Sequence, residues 1–261
     1  MNWWEGIILG VVQGLTEFLP VSSSGHLVVA QEALDVHMPG VFVEVILHVA
    51  TLLAVTLVYR ARIVAIARGA LVGDRTSWRF IGLLIVATIP AVIVGGLLGD
   101  SIERGFESLL VVGIDFLITG TILWSARWAS TGARTEPNTA GAAIIGLGQA
   151  LAILPGISRS GTTVTAAMWL RIDGVSAAEF SFLMAVPAIA GAAVLQLRHL
   201  SADALNVGVV PLGVSFLSAL VAGVVAIRLL VRLLARGAFH RFAPYCWLLG
   251  VGTVLWVVAT R

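Results

Sequence analysis

Charge is scarce in this chain: Asp, Glu and Arg make up 11% of 261 residues, and lysine is absent. A soluble globular domain carries about 25% charged residues. With 59% hydrophobic residues and mean hydropathy +1.01, too little polar surface remains to cover a soluble particle of this size. The composition points to a membrane protein. Cysteine is nearly absent too. Cys246 stands alone in an apolar run, which excludes an intrachain disulfide and suggests a small packing residue. The net charge of +2 comes from scattered Arg and gives no support to nucleic-acid binding. There is no Gly-rich phosphate loop ending in Lys, no His-Glu-x-x-His pair and no Asp-rich magnesium cluster. Nothing suggests an organic cofactor. The start, Met1-Asn2-Trp3-Trp4-Glu5, lacks the basic region of a cleaved signal peptide, and its two Trp suit a membrane interface.

Long apolar runs fill the rest. Full spans are expected at about 41–59, 80–99, 108–127, 177–197, 209–234 and 243–260, each near the 20 residues that a bilayer requires. Two further apolar segments stop too early to span. One runs from Trp3 to Leu19 and stops at Pro20-Val21-Ser22-Ser23-Ser24-Gly25-His26. The other runs from Thr139 to Leu154 and stops at Pro155-Gly156-Ile157-Ser158-Arg159-Ser160-Gly161-Thr162-Thr163. A helix that breaks inside a membrane frees backbone groups that need partners, so both read as re-entrant helical hairpins with breaks buried in protein. The expected fold is a single all-α membrane domain over 1–261, with about six full spans and two re-entrant hairpins.

The two breaks are related. At an offset of 136, Gly10, Gln13, Leu15, Ser22, Ser24 and Gly25 meet Gly146, Gln149, Leu151, Ser158, Ser160 and Gly161. Glu44 and Glu179 stand near the starts of the spans that follow. This reads as an internal repeat, about 1–130 and 137–261. Arg sets the orientation. Arg60, Arg62, Arg68, Arg75 and Arg79, then Arg127 and Arg134, then Arg228, Arg232, Arg236 and Arg241 mark cytoplasmic stretches, whereas the intervening loops hold only Arg104 and Arg198. Counting spans makes the repeats inverted, a plan in which paired broken helices meet at a binding site.

The breaks also carry the chemistry. Gln13 and Glu17 share one helix face. Beyond Pro20, Ser22 or Ser23 can cap a new helix, and His26 lies one turn past Ser23. The second break repeats the cap with Ser158 and Ser160 and adds Arg159, a planar cation suited to phosphate oxygens. Ser24, Thr162 and Thr163 extend the hydroxyl set. Two such helix N-termini facing each other suit a highly charged anion such as a diphosphate. Ser23 is the candidate nucleophile, with His26 or Glu17 as proton acceptor. Direct attack by water with His26 as base is the alternative. A carboxylate beside a diphosphate repels it, so Glu17 calls for pairing with Arg159 or a bridging divalent cation, Mg²⁺ or Ca²⁺. Glu44 and His48, one helical turn apart, are expected to support the site by hydrogen bonding and packing. Asp115 reads as a buried polar contact, and His37, His199 and His240 as loop residues. A secondary transporter or lipid translocase is the competing class, because it shares the broken-helix plan.

These motifs resemble the undecaprenyl-diphosphate phosphatase family, also called the bacitracin-resistance protein family. Its first motif, Glu/Gln-x-x-x-Glu followed by Pro-Val-Ser-Ser-[Ser/Thr]-Gly-His, stands here as Gln13 to Glu17 and Pro20 to His26. Its second, Pro-Gly-x-Ser-Arg-Ser-x-x-Thr, stands as Pro155 to Thr163. Leu47 to Val55 and Phe180 to Leu183 are similar as well, and the likeness covers essentially the whole chain. Gln13 takes the uncharged of the two options at its position. The resemblance implies a hydrolase of the bacterial cytoplasmic (inner) membrane that removes the terminal phosphate of undecaprenyl diphosphate. The product, undecaprenyl phosphate, carries cell-wall precursors. It also implies inverted repeats, re-entrant helices, a site opening toward the periplasm, and bacitracin resistance on overproduction. The expected partners are the polyprenyl lipid and the bilayer, and a homodimer is compatible with the chain.

Overall fold

The computed structural model describes residues 1–34, 42–129, 132–196 and 208–260. His37, Arg198 and His199, and the outer ends of the spans expected at 41–59 and 177–197, lie outside the described residues. The described elements are α-helical: α1 Trp3–Phe18, α2 Ser23–Leu34, α3 Phe42–Val58, α4 Arg60–Leu71, α5 Arg75–Phe106 and α6 Leu109–Ser125 in the first half. Then come α7 Thr139–Leu151, α8 Arg159–Trp169, α9 Gly174–Gln196, α10 Val209–Ala235 and α11 Ala243–Thr260. Among the described residues the only β pairing is an isolated bridge between Arg134 and Ile172.

The chain is an all-helical, multi-pass membrane protein. Among the described residues five helices are long and apolar enough to cross a bilayer, and six if α3 is counted with its bent continuation α4. The Arg-bearing stretch after the first span is itself helical. It departs from the axis of α3 by 76° and buries no residue. At the next corner Gly73 takes φ +75°, and the Asp74 carboxylate accepts the backbone N–H groups of Thr76 (3.3 Å) and Ser77 (2.8 Å). Those groups would otherwise be free at the start of α5. The Ser77 hydroxyl also donates to this carboxylate at 2.7 Å, and that bond, with the backbone ones, holds the exposed Asp74 carboxyl below its ordinary pKa. The span expected at 80–99 is longer, 32 residues or about 48 Å, and passes Pro90 without ending.

The arms of each broken unit pack on each other, α1 on α2 and α7 on α8. α1 also packs on α10 of the other half, and α7 on α5. Backbone proximity makes these seams. Gly6, Gly10 and Gly14 line one face of α1. A Cβ on Gly10 would strike the Ser215 carbonyl oxygen, and one on Gly14 would meet the Ala219 carbonyl oxygen and stand 2.8 Å from the Ala222 Cβ. On α7, a Cβ on Gly146 would lie 2.5 Å from the Ala87 carbonyl oxygen. Small residues allow this approach where apolar side chains gain little from leaving lipid for another helix. Phe18 meets Phe182 edge-on at 5.4 Å, joining α1 to α9 in the main core. At the Arg-rich end, Arg62 donates to Glu179 (2.9 Å) and Glu136 (3.4 Å) and covers the Phe80 ring at 4.9 Å. Glu179, matched with Glu44 by sequence, therefore serves an ion pair away from the breaks.

Gly10→Val should destabilise the detergent-solubilised protein by about 1–3 kcal/mol, because backbone oxygen cannot move aside as a side chain can. Gly252→Ala, whose new Cβ meets nothing within 4 Å, should melt with the wild type. Equal melting of the two variants would contradict the seam.

Candidate active site

Both breaks follow from the same local chemistry. Leu19 precedes Pro20 and is extended (φ −64°, ψ 146°), the conformation that a following proline favours, and α1 ends there. Val21 and Ser22 then turn the chain, with Ser22 at φ +69°. A non-glycine residue in this left-handed region is uncommon and marks a site that the surroundings hold in place. Ser22 caps α2: its carbonyl accepts the His26 N–H at 3.2 Å and its Oγ the Gly25 N–H at 3.4 Å. In the second break Gly156 makes the turn at φ +104°, and Ser158 caps α8 by accepting the Gly161 N–H at 3.1 Å. A side chain at Gly156 would also run 2.7 Å from the Val112 carbonyl oxygen. The hydroxyls repeat the likeness, with Ser22 3.3 Å from Ser24 and Ser158 3.3 Å from Ser160.

The breaks meet. Ser160 donates to the Leu19 carbonyl at 3.2 Å, tying α8 to the end of α1. A Cβ on Gly25 would lie 2.9 Å from the Gly156 Cα. Thr119 of α6 braces the second break, donating to the Gly156 carbonyl at 2.8 Å and accepting the Ser158 N–H at 3.0 Å. Between the breaks is a cavity of about 150 Å³. Its polar lining is Thr16, Glu17, Ser22, Ser23, Ser24, His48, Ser158 and Arg159, and Phe106, Ala152, Ile153 and Ile157 complete the wall.

Glu17 organises this lining. Its Oε1 accepts Arg159 Nη2 at 2.5 Å, joining the two breaks. Its Oε2 accepts the Ser23 hydroxyl at 2.6 Å and Gln13 Nε2 at 3.1 Å. Both members of the ion pair are largely enclosed, with 7% of the Glu17 side chain and 15% of the Arg159 side chain exposed. Removing one partner of such a pair strands a charge in a poorly solvating site, at a cost of about 3–5 kcal/mol. Arg159 Nη1 is buried and has no partner among the described residues. Arg159 lines the cavity while the pair occupies only its other terminal nitrogen. Ser23, the candidate nucleophile, already has its proton aimed at a carboxylate. The arrangement suits phosphoryl transfer, with donors for equatorial oxygens, a hydroxyl nucleophile and an acceptor in contact.

The expected site residues divide. Glu17, Ser22, Ser23, Ser24, Ser158 and Arg159 come together at the cavity, and Gln13 stands behind Glu17. Ser160 serves the junction of the breaks. Thr162 and Thr163 turn back onto their own helix, donating to the Ser158 and Arg159 carbonyls at 2.8 and 2.7 Å, and neither lines the cavity. His26 also lies outside the lining. Its Nδ1 bonds the Ser22 carbonyl and its Nε2 the Tyr245 hydroxyl of α11, each at 2.7 Å. His48, expected only as support, is in the wall instead, with Nε2 4.0 Å from Glu17 Oε2. Glu44 meets His48 through its backbone carbonyl, which accepts Nδ1 at 2.7 Å. Asp115 is buried beside Gly156 with Oδ2 lacking a partner among the described residues. Phe106 and Tyr245 carry no sequence signal that ties them to either break. Ile157 could have been read from its place inside the second motif.

The chain matches the model of the bacitracin resistance protein BacA family over residues 6–252. It is 41% identical to an undecaprenyl-diphosphatase of Desulfosudis oleivorans, over 97% of each chain. It is 38% identical to that of Desulforapulum autotrophicum over 98% of each, and 40% identical to that of Methanobrevibacter smithii over 96% of each. A match from one end of these proteins to the other, through both breaks, places this chain in the bacitracin resistance protein BacA family.

Proposed function

We propose that this protein hydrolyses undecaprenyl diphosphate to undecaprenyl phosphate and inorganic phosphate, returning the lipid carrier to cell-wall synthesis. Bacitracin resistance on overproduction follows from the same activity. The observation that carries the reading is the Glu17 carboxylate shared between Arg159 and Ser23 at the meeting of the breaks. A binding protein needs the cation, whereas hydrolysis also needs a hydroxyl with a proton acceptor in contact, and both are present. The names of the relatives support the same substrate.

Arg159, with the N–H groups and hydroxyls at the starts of α2 and α8, holds the diphosphate and opposes charge on the equatorial oxygens in the transition state. Ser23 Oγ attacks the terminal phosphorus, and the bridging P–O bond breaks with its electron pair leaving on the lipid phosphate. Glu17 Oε2 takes the Ser23 proton. Water then cleaves the Ser23 phosphoester. Glu17 is the one carboxylate in the described cavity wall, and both its oxygens are engaged. Glu17 would therefore hold a Mg²⁺ or Ca²⁺ ion only together with oxygens of the diphosphate, since the described wall offers no further carboxylate. Such an ion would supply further charge neutralisation at the phosphates.

The site opens toward the periplasm of the cytoplasmic membrane. In support, α5 begins at Arg75 and Arg79 on the Arg-rich side, and its opposite end brings Phe106 to the cavity. The polyprenyl tail lies in the apolar groove between α5 and α9 lined by Leu84, Ile85, Ile89 and Pro187, since α5 connects that groove with the cavity. The halves are inverted repeats. The exchange of α1 onto α10 and α7 onto α5 supports this, as does the use of the matched Gly10 and Gly146 at those two seams.

Purified wild-type protein should release phosphate from a polyprenyl diphosphate. Arg159→Ala should lower kcat/KM at least a hundredfold, and Arg159→Lys should recover only part of it, because ammonium lacks the planar fork. Full activity in Arg159→Ala would remove the clamp. Lipid movement across vesicles with no phosphate release by wild type would favour a translocase. A chelator should abolish activity and Mg²⁺ or Ca²⁺ restore it, and activity indifferent to both would remove the ion.

A further inference from the structure

Hydrolysis of a diphosphate monoester near neutral pH releases one proton. The lipid diphosphate carries about three negative charges and the two products about four, so a proton must leave a site enclosed by membrane helices. Glu17 receives that proton from Ser23, but Arg159, Ser23 and Gln13 all donate to its oxygens, so a hydrogen kept there would meet donors and no acceptor. Two histidines stand near the breaks, and their hydrogen bonds give them different capacities.

Carbonyl oxygen only accepts hydrogen bonds, so a ring nitrogen bonded to one carries the hydrogen. Both rings have Nδ1 on a backbone carbonyl one turn back, His26 on Ser22 and His48 on Glu44. In each neutral ring Nε2 is then the basic nitrogen. For His26 that nitrogen accepts the Tyr245 hydroxyl at 2.7 Å, and the ring is stacked on Tyr245 and meets Phe116 edge-on at 5.2 Å. His26 is occupied and absent from the cavity wall. For His48, Nε2 faces Glu17 Oε2 at 4.0 Å, and 35% of the side chain is exposed in a residue that lines the cavity. The charged groups facing it are Glu17 from α1 and Arg159 from α8, with the Ser23 hydroxyl from α2 and its own Glu44 one turn away.

We propose that His48, not His26, is the proton relay of this site, taking from Glu17 the proton that Ser23 gives up and passing it to water at the cavity mouth. The proposal rests on the phosphatase reading and deepens it. In the first half-reaction the Ser23 Oγ–P bond forms, the bridging P–O bond breaks onto the lipid phosphate, and the proton moves from Ser23 to Glu17 Oε2 and on to His48 Nε2. In the second, water oxygen bonds phosphorus, the P–Oγ bond breaks, one water proton returns to Ser23 Oγ through Glu17, and hydrogen phosphate departs. His48 releases its proton to solvent, which balances the reaction. Since His48 acts through Glu17, it is a positioning and relay residue.

The test follows phosphate release from farnesyl diphosphate, with kcat and KM measured separately for each variant. His48→Gln should lose about a hundredfold in kcat with little change in KM. His48→Asn keeps an amide N–H able to reach the Glu44 carbonyl but has no Nε2. It should be as impaired as His48→Gln while melting with the wild type, which separates relay from helix packing. His26→Gln and Tyr245→Phe should lower kcat far less than His48→Asn does. An active wild type whose kcat survives in His48→Asn overturns the relay alone, as does an equal loss of kcat in His26→Gln. A wild type that releases no phosphate overturns the phosphatase reading and the relay with it.

Discussion

The contact between Arg159 and Glu17 is the constraint on which the rest depends. It is an ion pair enclosed by membrane helices, where an isolated charge is costly. Each charge has its partner on the other broken unit. Neither break is therefore electrostatically complete alone, and folding must bring α1 and α8 together. The surrounding geometry serves that end. Gly10 and Gly14 let α1 lie directly on α10, Gly146 lets α7 approach α5, and Ser160 ties α8 to the last carbonyl of α1. The left-handed Ser22 then aims α2 so that Ser23 lands on the free edge of the same carboxylate.

The pair also shapes the chemistry. Arginine fixes the carboxylate so that its other oxygen meets the Ser23 hydroxyl, the placement that the proposed proton transfer needs. Arg159 spends one arm on Glu17, and its Nη1 has no partner among the described residues. In the proposed mechanism the guanidinium, already fixed by Glu17, meets transition-state charge without reorganising. The α8 N-terminus, capped by Ser158, adds backbone donors on the same side.

Much of this was legible in the sequence because the signals are local. Pro20 ends α1 at Leu19 for steric reasons that need no tertiary context, Pro155 follows soon after the end of α7 at Leu151, and Ser158 caps by its own side chain. Run length marked the spans, and the shared Gln and Ser positions marked the relation between the breaks. What failed to show depends on rotamers and distant neighbours. His26 and His48 are both one turn from a cap or an acid in sequence. Only the packing of α11 decides that Tyr245 takes His26 away from the cavity, and only the placement of α3 brings His48 in. Thr162 and Thr163 sit inside a motif yet bond back onto their own helix. The Arg content of the stretch from Arg60 marks it as lying outside the spans but does not reveal that residues 60–71 form a helix off the α3 axis.

The central claim is that the two breaks are halves of one catalytic site. A double-mutant cycle across them tests it most directly, measuring kcat/KM for phosphate release in Ser23→Ala, Arg159→Ala and the double variant. Groups that act as a unit are strongly non-additive. The account predicts that the double variant is about as impaired as the worse single variant. Losses that multiply, as for two independent positions, would contradict it.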